Sequence, residues 1–185
     1  VISIICPTIA GREHWLERCQ RSYCETTELE NEFIVVRDQP TCNQAWNVGI
    51  LEAQGDFIHL TADDIEAHPR WAEIGLEWIE KGILPCARVL NSDGTLQSCG
   101  NDASEEPTGT SSDVARVPFF PREILHTFYP ILPTHFMGDY WIAHQARKIG
   151  WPTVVVREFC FTHHLAFEGR LDTLSRDLQT YNLLK

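Results

Sequence analysis

Asp63 and Asp64 stand side by side at the end of an apolar, β-rich stretch, residues 57–61, within GDFIHLTADD. Adjacent carboxylates at the end of a buried strand rest on a rigid support, and their oxygens suit a hard cation. A cation held there binds a diphosphate in turn. Another carboxylate, Asp38, follows a second apolar stretch at 33–36. Whether these acids share a site depends on the elements that carry them.

Those elements read as alternating strands and helices. Residues 1–6, VISIIC, form a continuous apolar run of the kind a buried parallel strand shows, ended by Pro7 and the loop PTIAGR. A helix is expected over 12–24, with Trp15, Leu16, Cys19 and Tyr23 on one face. A strand at 33–36 comes next, then a helix from the N-cap candidate Thr41 to Ala53, closed by Gly55. The strand at 57–61 completes a βαβαβ pattern. Such a pattern gives a parallel sheet with helices on both faces and ligands at the carboxyl ends of its strands. Asp38, Asp63 and Asp64 then lie on one rim of the sheet.

Further along, the spacing predicts a helix over 69–81, a strand over 83–90, a turn at Ser92-Asp93-Gly94 and a returning hairpin strand over 95–98. Residues 100–113 read as a polar surface loop, 114–119 as a strand and 121–126 as a short helix started by proline. A helix over 139–149 is stopped by Gly150 and Pro152. A strand over 153–161 leads to His163-His164, and leucines at helical spacing fill 171–184.

The 185 residues suit one domain. Apolar residues make up 43% and charged residues 22%, ordinary for a globular protein. No apolar run reaches the roughly 18–20 residues of a membrane span. The opening segment has neither a basic n-region nor a small-residue cleavage site, so a first strand is expected there and not a signal peptide. Cytoplasmic residence is the default expectation. The net charge of −11, from 15 basic and 26 acidic residues, disfavours broad contact with nucleic acid. The Arg residues at 116, 122, 147, 157 and 170 could still form a local basic patch. Seven cysteines without a CxxC pair read as reduced thiols, three of them in apolar strands, and not as a zinc site.

Five segments, in order, resemble the nucleotide-sugar-dependent glycosyltransferases of the GT-A fold, and among them the large inverting family 2. SIICPT is similar to that family's first strand and nucleotide loop. Asn47-Val48-Gly49-Ile50 with Ala53, Gly55 and Asp56 resembles its N-x-G-I-x-x-A-x-G-D segment. ARVLNSDGTLQSCG resembles its middle hairpin, and Gly138-Asp139 with Arg147, Ile149 and Gly150 its acceptor-side E-D…R…G helix. His163-His164 falls where a metal-binding histidine follows a late strand. The match spans residues 1–168. Two positions depart from it. Ala62 replaces the first acid of the family's D-x-D, which leaves Asp64 for the cation and Asp63 for the ribose contact. Gly138 replaces the Glu before the catalytic Asp. The chain is short for the family, which implies a minimal acceptor region or one completed by a partner.

The resemblance implies an α/β, Rossmann-like three-layer sandwich with a mostly parallel central sheet. It implies a nucleotide-binding half at 1–64, an acceptor half at 65–168 and a C-terminal helix at 169–185. It also implies transfer of a sugar from a nucleotide-diphosphate donor, uridine-linked by preference, to an acceptor hydroxyl. It leaves the acceptor open among a glycan, a lipid, a protein and a hydroxylated nucleobase. A Mn2+ or Mg2+ ion would stabilise the leaving diphosphate as a Lewis acid. Asp64 and one of His163 and His164 are the implied ligands, since Mn2+ accepts an imidazole. Alternation along a strand sends the two histidines to opposite faces, but spacing does not choose between them. Asp139 is the implied base, although an Asp at a helix start is also a good N-cap. Pro7, Thr8, Arg12, Asp38, Asn47 and Asp63 would bind the donor, and Trp141 would stack on an acceptor sugar. Two rival classes are a non-catalytic sugar-nucleotide or glycan-binding relative, favoured by Ala62 and Gly138, and a nucleotidyltransferase, for which AGR at 10–12 is a weak phosphate loop.

Overall fold

Apolar residues on both faces of a strand demand cover on both sides, and the first strand gets it. In β1 (Ile2–Thr8) the neighbours Ile4 and Ile5 are both fully buried but belong to different cores. The computed structural model describes residues 1–101, 104–164 and 171–184. β1 is followed by α1 (Glu13–Glu25), β2 (Asn31–Arg37), α2 (Cys42–Glu52) and β3 (Phe57–Leu60). β1 pairs in parallel with β2 on one side and β3 on the other, which is the expected βαβαβ unit. Pro7 does not end β1: it lies beyond Ile5, the last residue that β3 pairs, where no ladder bond is asked of its missing N–H.

Thr41 caps α2 as expected, its Oγ1 accepting from Gln44 N at 3.1 Å. Gly49 lets that helix lie directly on β1, because a Cβ there would come within 2.3 Å of Ile5 Cγ2.

The second half adds β4 (Ile65–Ala67), α3 (Trp71–Ile79), β5 (Leu84–Asn91), β6 (Leu96–Cys99), β7 (Phe119–Pro121), a 3-10 turn (Arg122–Thr127), α4 (Gly138–Lys148), β8 (Thr153–His163) and α5 (Leu171–Leu184). Two four-stranded sheets result, ordered β2-β1-β3-β7 and β4-β8-β5-β6. β7 is antiparallel to β3, β5 and β8 are parallel, and β4 and β6 are antiparallel edges. α5 occupies the stretch expected to form the C-terminal helix; residues 165–170 and 185 lie outside the described residues.

Two expectations are corrected. The strand read over 114–119 is only Phe119–Pro121, because Val117 adopts φ 50 and breaks an extended run before it can pair. β4 has no counterpart in the sequence reading. Three residues pinned against β8, Ile65 opposite His163, form too short a segment to leave a periodic signal. Its effect on the site is large.

Candidate active site

The carboxyl ends of β1, β3 and β8 open on one cleft of about 1880 Å³, roomier than the roughly 300–1,000 Å³ of a single small-ligand pocket. Asp63 and Asp64 follow β3 into it and are almost fully buried. Asp63 Oδ2 accepts from Thr8 Oγ1 at 2.6 Å, and its Oδ1 lies 2.8 Å from Arg12 Nη2. The same Arg12 nitrogen is 2.8 Å from Asp64 Oδ2. Burial pushes the Asp63 carboxyl above its ordinary range, helped by the neighbouring charge of Asp64 and opposed by Thr8 and Arg12. Asp64 also loses water, but His163 and Arg12 outweigh that and leave its carboxyl below the ordinary range.

β4 brings a histidine to Asp64. Its ladder with β8 sets Asp64 beside the strand end, where Asp64 O accepts from His164 N at 2.9 Å. His163 then points into the cleft, with Nε2 3.4 Å from Asp64 Oδ2. His164 points away: it stacks on Trp15 with ring centroids 5.1 Å apart, and its Nε2 lies 3.1 Å from Glu66 Oε2. The choice left open by spacing is thus made by the register of β8.

At the other end of the cleft Asp139 sits in the first turn of α4. Met137, at φ 65, and not Asp139, is the N-cap residue. Asp139 Oδ2 receives Arg116 Nη1 at 2.9 Å, and Oδ1 accepts from Tyr140 N at 3.0 Å. Ala115 N donates to Asp139 O at 3.2 Å, tying the loop that carries Arg116 to the helix start. The Arg116 guanidinium also lies 5.4 Å over the Tyr140 ring. The Cys42 thiol is partly buried at the start of α2, and burial pushes its pKa up, with the charges of Asp64, Asp63 and Asp139 adding to the effect. Asp63, Asp64 and Asp139 all line this one cleft.

Three other candidates lie apart from it. Asp38, at φ 54, turns its carboxylate back to accept from Ala10 N at 3.2 Å and does not line the cleft. Asn47 exchanges two hydrogen bonds of 2.8 Å with the Ile131 backbone, fixing the loop before α4. Trp141 packs against the second core and donates Nε1–H to Phe128 O at 3.0 Å. Pro7, Thr8 and Arg12 do line the cleft. Among the described residues the arginines form no basic patch: Arg116 and Arg147 reach the cleft paired with Asp139 and Asp113, while Arg122 bonds Gly55 O and Arg157 bonds Glu105. Arg170 lies outside the described residues.

Three contributors were not given their roles from sequence. Gln97 Oε1 is 3.0 Å from His163 Nδ1. Arg116 anchors Asp139. Asn43, almost fully buried, donates Nδ2–H to Thr134 Oγ1 and Phe136 O, both at 3.0 Å. Asn43 also explains Gly138, since a Cβ at 138 would lie 2.5 Å from Asn43 Oδ1. No local motif marks any of these three; each acts across a long chain separation.

The donor set fits a divalent cation at one point. Gln97 Oε1 lies 3.0 Å from His163 Nδ1 and orients the ring, whose Nε2 lies 3.4 Å from Asp64 Oδ2. An imidazole nitrogen and a carboxylate oxygen so placed are two donor atoms that a divalent cation could take together. Among the described residues there is no group of three or more His, Cys, Asp or Glu side chains that could hold a metal ion.

No protein-family model matches the chain, and no curated protein matches it. Solved structures do. S. aureus TarS 1–349 superposes with TM-score 0.68 at 12% identity over 88% of this chain and 60% of that one. The same fragment in complex with UDP-GlcNAc gives 0.69 at 12% identity, over 92% and 60%. GalNAc-T7 with UDP, GalNAc and Mn2+ gives 0.70 at 14% identity, over 91% and 44%. These neighbours are GT-A-type glycosyltransferases, and the chain shares their fold. It spans 44–60% of the length of these structures. Among the described residues no helix is long and apolar enough to cross a membrane.

Proposed function

We propose that the chain transfers a sugar, with inversion, from a nucleotide-diphosphate donor to an acceptor hydroxyl. The observation that carries this reading is the convergence of Asp64, His163 and Asp139 on one cleft. A uridine-linked donor is the first choice, in keeping with the UDP and UDP-GlcNAc held by the neighbours of like fold. We assign donor binding chiefly to residues 1–64 and acceptor binding to 65–168. The seven unpaired thiols suit a reducing compartment such as the cytoplasm.

Asp64 and His163 would hold Mn2+ or Mg2+, which supplies Lewis-acid stabilisation to the departing diphosphate. Thr8 and Arg12 keep the acidic pair fixed from the β1 side. Asp139 takes the proton of the acceptor hydroxyl as its oxygen bonds to the anomeric carbon. The carbon–oxygen bond to the diphosphate breaks on the opposite face, and its electron pair leaves with the nucleoside diphosphate. Arg116 and Tyr140 N each take one lone pair of Asp139, which aims the carboxylate and leaves further lone pairs for the acceptor.

A thermal-shift panel of nucleotide sugars, run with Mn2+ and with chelator, tests the donor. Stabilisation by a UDP-sugar is expected only with the cation. Product analysis tests the reaction. Nucleoside diphosphate is expected, whereas pyrophosphate would mark nucleotidyl transfer, and donor binding without any product would mark a non-catalytic relative.

A further inference from the structure

Arg12 stands where a cation would stand. Its Nη2 is 2.8 Å from Asp63 Oδ1 and 2.8 Å from Asp64 Oδ2, so one nitrogen spans both buried carboxylates. Asp64 Oδ2 is also the oxygen that His163 Nε2 approaches at 3.4 Å. One oxygen therefore serves the guanidinium and, in the reading above, a divalent cation. Both positive groups cannot crowd that oxygen at full strength, because like charges repel most where water is excluded.

The attachment of Arg12 lets it leave. It precedes α1 as the N-cap residue without a side-chain cap bond, after Gly11 at φ 85. Its Nε is buried with no hydrogen-bond partner, so the side chain is held by the two acids and not by its own backbone neighbourhood. With a side-chain exposure of 27% it already faces the cleft.

We propose that Arg12 is a resident counter-cation for the acidic pair. It holds Asp63 and Asp64 while no donor is bound. When nucleotide and divalent cation arrive together, Arg12 gives up Asp64 and carries its guanidinium to the donor diphosphate, a group it can grip with paired N–H donors. The inference rests on the donor-site reading above. It makes cation and nucleotide binding cooperative, since each favours the state in which Arg12 has let go.

The test is Mn2+ binding, followed by the electron paramagnetic resonance of free Mn2+, without any turnover. With no nucleotide, Arg12→Gln should bind Mn2+ about tenfold more tightly than the unchanged chain, and Asp64→Asn should lose the site. UDP should tighten Mn2+ binding to the unchanged chain by about tenfold but to Arg12→Gln by much less. Arg12→Lys keeps one charge, but its ammonium does not reach as far and is more strongly hydrated than a guanidinium, so it holds the buried pair less firmly. It should fall between, and it carries the same readout should Arg12→Gln melt too early to titrate. Equal or weaker Mn2+ binding by both Arg12 variants, with Asp64→Asn still losing the site, overturns the exchange and leaves the cation reading standing. Absence of Mn2+ binding to every form even with UDP removes the cation reading, and the exchange with it.

Discussion

Each end of the cleft pairs an aspartate with an arginine, but the two pairs are built differently. Arg12 meets acids with side-chain exposures of 3% and 9%, whereas Asp139 and Arg116 are 19% and 28% exposed. Strand ends hold the donor-side acids, and the β4–β8 ladder fixes the histidine beside them. A loop and the first turn of α4 hold the Arg116–Asp139 pair, and two residues beside them, Val117 at φ 50 and Met137 at φ 65, sit in the left-handed region. Each such residue costs on the order of 1–3 kcal/mol, which the surrounding packing must offset. The end proposed for the donor is thus the more buried of the two. The end proposed for the acceptor is more open, and its conformation depends on loop packing.

Replacing Asp139 by Asn should have the largest effect. Turnover should fall roughly 10²–10⁴-fold, the usual contribution of a general base, with donor affinity within about twofold. Paired kinetics and nucleotide titration check it. Lost donor affinity with retained turnover would mean that Asp139 belongs to the donor end and that the division drawn here is false.

Gly138 probes the packing of the acceptor end. Alanine there would bring a Cβ to 2.5 Å from Asn43 Oδ1 and 2.8 Å from Asn43 Cγ. Asn43 cannot swing aside without losing its bonds to Thr134 and Phe136. Gly138→Ala should therefore cost about 1–3 kcal/mol in chemical denaturation, the usual penalty for overpacking. Combining it with Asn43→Ala should recover less than the full loss, because the loop bonds go as well. A neutral Gly138→Ala would show that the loop holding Asp139 is looser than the contacts imply.

The donor end was the more legible in sequence for the same physical reasons. Continuous apolar runs announce parallel strands, and acids directly after such a run can only lie at the carboxyl rim, so Asp63 and Asp64 were placed by pattern alone. What lay beyond pattern was contact across the chain. Nothing local tells that Asp38 folds back onto Ala10, that Trp141 is spent on Phe128, or that Arg116 reaches Asp139. The strand expected over 114–119 failed at Val117 for a related cause: a β-branched residue is a strong strand former, and only tertiary packing imposes a positive φ on it. The two histidines were indistinguishable until β4, three residues long, set their register.

That register gives the next contrast. His163→Ala should weaken Mn2+ binding in the presence of UDP by about tenfold or more, since one of the two proposed protein ligands is lost. His164→Ala should leave Mn2+ affinity nearly unchanged and lower stability slightly through the lost stack on Trp15. The same titration on both variants decides. The reverse ranking would place the cation on the Glu66 side of β8 and detach it from the cleft.

The smallest expected effect tests how firmly the donor end is founded. His59 lies in β3, four residues before Asp63, fully buried among Tyr23, Trp71, Phe119 and Phe161. Burial lowers its pKa from the ordinary 6.5 to about 3, so it stays neutral in the fold and accepts or donates one bond with Tyr23 Oη at 3.1 Å. The unfolded chain binds that proton near pH 6.5 and the folded chain does not. Between the two values the unfolded state carries more protons, so stability from this group is present above 6.5 and is lost as pH falls toward 3. The loss should be about 1 kcal/mol between pH 6.5 and 5.5, steepening below. His59→Phe keeps the aromatic packing and leaves Tyr23 bonded to Thr61, so it should flatten this part of the profile in urea melts. An unchanged slope would mean that protonated His59 is accommodated, and that the strand beneath the acidic pair is less dry and less rigid than the loops across the cleft.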